Sequence, residues 1–97
     1  MEVGSVVQLR KETGGVSDAS VGVCYLVDRS KDRIRFLIMF SRGRTVAFGP
    51  MSAQTLLDEI GFSPELCHYK FVDRAKLNDD YNQGVFDPIF GEAINGI

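Results

Sequence analysis

Cys67 and His68 are adjacent, and a thiol beside an imidazole is the inventory of a cysteine nucleophile. The neighbours Cys67, Tyr69 and Phe71 alternate with His68, Lys70 and Val72, which predicts a strand. Successive strand side chains point to opposite faces, so this thiol and this imidazole cannot meet. Cys24 reaches His68 only through the fold, and no Asn or Asp partner is identified by spacing. His68 is the single histidine, and no carboxylates form a recognisable acid–base pair. The expectation is a chain that is not an enzyme, with no catalytic residues.

Metal and phosphate chemistry fare no better. Asn78, Asp80 and Asn82 stand at alternate positions, as at the start of a calcium loop. The glycine comes one place late, at Gly84, and the twelfth position is Ile89 where a carboxylate is needed. Gly14-Gly15 lacks the Lys-Ser/Thr that follows a phosphate-cradling loop and does not open a helix. No cofactor and no metal are expected.

The arginines carry the remaining polar signal. Arg33, Arg35, Arg42 and Arg44 fall at the start of one predicted strand, on it and in the loop after it, so that they can line one face of a strand pair and its loop. Such a hairpin offers an anion or nucleic-acid patch, since β-ribbons enter DNA grooves. The net charge of −2 opposes that reading, although residues 1–48 carry +3 and residues 49–97 carry −5. A solvated arginine edge that discourages edge-to-edge pairing is the competing account.

These side chains sit on a framework that local patterning predicts. Ninety-seven residues make one domain with one small core. No window is apolar for long enough to span a bilayer, and no basic-then-apolar leader opens the chain, so no membrane partner is expected. Two cysteines in a chain without an export signal predict free thiols and a cytoplasmic location.

Val3, Val7 and Leu9 alternate with Val6, Gln8 and Arg10, predicting a first strand. The loop KETGGVSDAS leads into a second strand at residues 21–27, with Val21, Val23, Tyr25 and Val27 on one face. Gly22 and Cys24 narrow its other face, which permits a close backbone approach or a bulge. A third strand covers residues 34–40. The SRGR loop, with Gly43 at its positive-φ position, returns it to a fourth strand at residues 45–48. Ala53, Leu56, Leu57 and Ile60 then make the stripe of a helix over about 52–60, capped by Ser52 and stopped by Gly61. The last predicted strand follows a turn at SPEL. From Leu77 onward no helix or strand period is visible, and an extended C-terminal arm is expected.

The fold expected is therefore mainly β. It is a strongly bent antiparallel meander or small barrel of about five strands with one helix. Residues 1–76 form the barrel and helix. Residues 77–97 form the arm, packed on the same or a neighbouring chain. VGSVVQLRKETGG followed by SVGVCYLVDRSKDRIRFLIMF resembles the opening of Src-homology-3-like small barrels: a G-x-V-V-x-L strand, a long polar loop, a V-G-V strand, a tight turn and a long third strand. The resemblance covers residues 3–48. It implies an architecture and a tendency to bind other molecules. The helix at 52–60 departs from that family, which usually has a single helical turn there.

Residues 34–40 pose the remaining question. Ile34, Phe36, Ile38 and Phe40 line one face, yet Leu37 and Met39 make the opposite face apolar as well. That second face needs a cover. Either the helix stripe supplies it within the chain, or a second subunit does. With Tyr81, Val85, Phe86, Ile89 and Phe90 in the arm, the apolar surface exceeds what one small core requires. The functional expectation is a non-catalytic binding and assembly module that associates with itself, as a dimer or higher, through Leu37, Met39 and those arm residues. The alternative is a nucleic-acid-associated protein acting through the arginines.

Overall fold

The structure, a computed structural model, describes residues 1–29, 34–40, 43–50, 52–55, 58, 60–61 and 67–83. It is mainly β. Strands β1 (Ser5–Gln8), β2 (Val21–Asp28), β3 (Arg35–Phe40), β4 (Thr45–Phe48) and β5 (Cys67–His68) form one antiparallel sheet in the order β4-β3-β2-β1-β5. Consecutive strands pair as a meander, and β5 closes onto the outer side of β1 with Ser5 opposite His68 and Val6 opposite Cys67. The pairing extends one step further, because the Tyr69 N–H donates to the Gly4 carbonyl at 2.7 Å.

Alternation along these strands feeds two cores, one on each side of the sheet. The first contains Val7, Leu9, Val16, Cys24, Phe36, Ile38, Phe40 and Phe48. The second contains Val6, Val23, Met39, Tyr69, Leu77 and Tyr81. Both faces of β3 are thus used, as its sequence requires.

Gly22 lets the first core close. A Cβ at that position would stand 2.6 Å from Ile38 Cγ2 and 2.7 Å from Phe40 Cε1, so the two side chains lie over bare backbone. Three residues on, the register slips: Cys24 faces Ile38 but Leu26 faces Leu37, leaving Tyr25 as the extra residue of a β-bulge. The bulge reverses the alternation. Val27 consequently packs on the first core, not beside Val21, Val23 and Tyr25 as simple alternation predicts.

The first helix starts where the sequence predicts. α1 (Ala53–Thr55) is capped by Ser52, whose Oγ accepts the Thr55 N–H at 3.1 Å. Helical backbone is present again at Asp58 and Ile60, and Gln54 Nε2 donates across one turn to Asp58 Oδ1 at 2.9 Å. Gly61 follows with φ +83°. Ile60 packs against the first core, on the side of Phe36 and not that of Met39. Leu56 and Leu57 lie outside the described residues.

The cover over Met39 is instead a second helix, α2 (Arg74–Asn82), in the stretch expected to be extended from Leu77. Asp73 caps it, its Oδ1 accepting the Lys76 N–H at 2.8 Å. Leu77 and Tyr81, one turn apart, are its buried residues. Asn78, Asp79, Asp80 and Asn82 are weak helix formers, and burial of that one apolar pair outweighs their preference.

Candidate interaction surface

The groups with possible chemistry are held apart. The His68 ring is half exposed, and its Nδ1 lies 3.9 Å from Glu2 Oε1. Cys24 is a thiol, not half of a disulfide, at 0% exposure inside the first core, its Sγ donating to the Leu26 carbonyl oxygen at 3.5 Å. Asn78, Asp80 and Asn82 belong to α2 and make no loop. Asp80 accepts from the Tyr69 hydroxyl and from Lys76 Nζ at 3.2 Å. Among the described residues no three His, Cys, Asp or Glu side chains are placed to hold a metal ion. Gly14 and Gly15 form the tip of a tight turn whose flanking residues, Thr13 and Val16, exchange backbone hydrogen bonds of 2.9 and 3.0 Å.

The Tyr69–Asp80–Lys76 cluster is structural. Burial raises the Tyr69 pKa above the ordinary phenol value, and the hydrogen bond to Asp80 and its negative charge raise it further. A phenol so placed stays protonated and ties β5 to α2. The short sequence separation, with Tyr69 and Asp80 either side of a helix start, was too generic a signal to single them out.

Of the four arginines, Arg33 and Arg42 lie outside the described residues. Arg35 pairs with Asp28 across the β2–β3 ladder at 3.4 Å. Arg44 is exposed, near the tip of the Gly14-Gly15 turn, where a Cβ at Gly15 would stand 3.2 Å from its Nη2. Among the described residues, Arg35 is thus charge-paired and Arg44 presents its guanidinium at the surface.

The predicted apolar surface divides. Met39 and Tyr81 meet each other in the second core, at 3% and 7% exposure, and so are covered within the chain. Val85, Phe86, Ile89 and Phe90 lie outside the described residues. Leu37 is half-buried. It shares the sheet face of Met39, two residues away, yet is absent from the core that Leu77 and Tyr81 close.

Leu37 does not stand by itself. The ladder places Leu26 on one side of it and Ala47 on the other, so Leu26, Leu37 and Ala47 form one cross-strand row over β2, β3 and β4. Leu26 is 44% exposed and Ala47 is exposed. Polar groups rim the row. The Asp28–Arg35 pair is the next rung on one side, and toward α2 the Arg74 guanidinium sits 5.0 Å from the centre of the Tyr25 ring. Leu26 and Ala47 were not predicted as surface residues. The bulge at Tyr25 aligns Leu26 with Leu37, and nothing in VGVCYLVD marks where the alternation reverses.

No family model, no curated protein and no solved structure matches this chain.

Proposed function

We propose that this chain is a non-catalytic binding and assembly module that associates with copies of itself through the sheet face bearing Leu37. The observation that carries the reading is the row Leu26–Leu37–Ala47: a partly exposed apolar rung between the Met39 rung, which α2 closes, and the exposed Asp28–Arg35 rung. A solvent-facing antiparallel sheet ordinarily presents polar side chains there. An apolar strip with an ion pair at one side and a cation over an aromatic ring at the other has the layout of an interface core and rim. No helix among the described residues is long and apolar enough to cross a membrane.

Light scattering across the micromolar range tests the reading. The native chain is expected to show a concentration-dependent mass above that of one chain, and Leu26→Lys to shift it to the monomer. Leu26 is exposed, so this substitution leaves both cores intact. A native chain that is monomeric throughout, or an oligomer indifferent to Leu26→Lys, overturns it.

A further inference from the structure

The row Leu26–Leu37–Ala47 lies between two charged flanks of different make-up. On one side the next rung of β2 and β3 holds Asp28 and Arg35, with side chains 36% and 49% exposed. On the other side β2 carries Tyr25, immediately before Leu26, and the guanidinium of the exposed Arg74 lies 5.0 Å from the centre of its ring. Tyr25 packs on the core that holds Met39, so Arg74 stands on the same sheet face as the row. An acid and a base are thus placed along β2, one on either side of Leu26.

A partner for this strip has to match apolar with apolar and each charge with its opposite. A second copy meets that demand in one orientation. Sheets pack face to face about 10 Å apart with their strands roughly aligned. A two-fold axis lying in the interface and parallel to the row sets Leu26, Leu37 and Ala47 over the same residues of the partner. It also exchanges the two flanks, so that Asp28 of each copy comes to Arg74 of the other. An axis along the strands through Leu37 instead sets one Arg35 against the other, a like-charge contact.

We propose that two copies associate face to face through this row, in the orientation that pairs Asp28 of each with Arg74 of the other. The inference rests on the self-association reading and names the partner surface and the rim that aligns it. A carboxylate accepts several hydrogen bonds, and a guanidinium over a ring still presents its N–H edge. The new pair therefore adds to the Asp28–Arg35 and Arg74–Tyr25 contacts and displaces neither. By symmetry it is made twice, so a change of charge at either residue counts twice.

Charge exchange tests it. Asp28→Arg sets Arg against Arg at both ends of the pair, and Arg74→Asp sets Asp against Asp. Each variant alone is expected to associate about tenfold more weakly than the native chain in low salt, by light scattering. An equimolar mixture of the two is expected to recover the native affinity, as a pair with one chain of each kind by native mass spectrometry. Mixing repairs only a contact made between chains, so a variant that has merely lost stability is not rescued. Variants that associate as the native chain does, or a mixture no tighter than its components, overturn this orientation and leave the self-association reading standing. A native chain with no oligomer at all overturns that reading instead.

Discussion

The Tyr81 hydroxyl donates to the Met39 carbonyl at 2.7 Å and reaches the Val21 carbonyl at 3.2 Å. One phenol at the end of α2 thus ties together the strands β2 and β3 from above. Its ring fills the second core while its polar tip finds backbone acceptors that water does not reach. Tyr81→Phe keeps the ring and removes the donor. The expected loss is on the order of 1 kcal/mol, seen as a melting temperature lower by several degrees for a domain of this size. An unchanged melting temperature contradicts the role assigned to this hydroxyl.

How far the sequence foretold this arrangement differs element by element. The period-2 runs at 21–28 and 35–40 are long and rich in β-branched and aromatic residues, so the strands and their order were legible. Ser52 marked the start of the first helix, and Gly61 takes the positive φ expected of a helix stop. The helix at Arg74–Asn82 was not legible because only Leu77 and Tyr81 are buried there, among turn-forming Asn and Asp. Asp73 three residues before Lys76, then Leu77 and Tyr81 one turn apart, was the available signal. The open row was hidden for a different reason: it exists only after the bulge at Tyr25, a tertiary event that a fully apolar strand does not announce.

Alkaline pH should unfold this protein by a traceable route. Burial raises the pKa of Tyr81, and burial with the Asp80 contact raises that of Tyr69. In the unfolded chain both phenols ionise near the ordinary value of about 10. Their contribution to stability is therefore fully present below pH about 10 and declines as the pH rises beyond it, by at most about 1.4 kcal/mol per pH unit for each group. Urea unfolding at pH 8 and pH 11 should show the decline, and Tyr81→Phe should reduce its slope. An equal slope in native and variant chains refutes the assignment.

Two backbone positions predict substitutions of opposite sign. At Gly22 an added methyl meets Ile38 and Phe40 at under 3 Å, so Gly22→Ala should cost on the order of 1–3 kcal/mol through overpacking. Ala19 is a non-glycine residue at φ +64°, held there by its N–H donating to the Leu9 carbonyl at 2.9 Å. Ala19→Gly relieves that conformation and should stabilise by up to about 1 kcal/mol. Chemical denaturation of the two variants reads both. Gly22→Ala as stable as the native chain contradicts the close approach, and Ala19→Gly less stable contradicts the strain.

Cys24 offers a probe of whether the two cores open together. Its thiol lies at 0% exposure in the first core, so a reagent reaches it only after local or global opening. In a Cys67→Ser background, labelling should be slow in the native chain and complete with one thiol per chain in denaturant. Tyr81 sits in the other core, across the sheet. If the sheet unfolds as one unit, Tyr81→Phe should speed Cys24 labelling by the factor set by its equilibrium destabilisation, about fivefold for 1 kcal/mol. A labelling rate unmoved by Tyr81→Phe, with the loss of stability confirmed independently, means that the first core opens separately from the α2 face. Then α2 and Tyr69 form a cover whose release leaves the Phe36, Ile38 and Phe40 side intact.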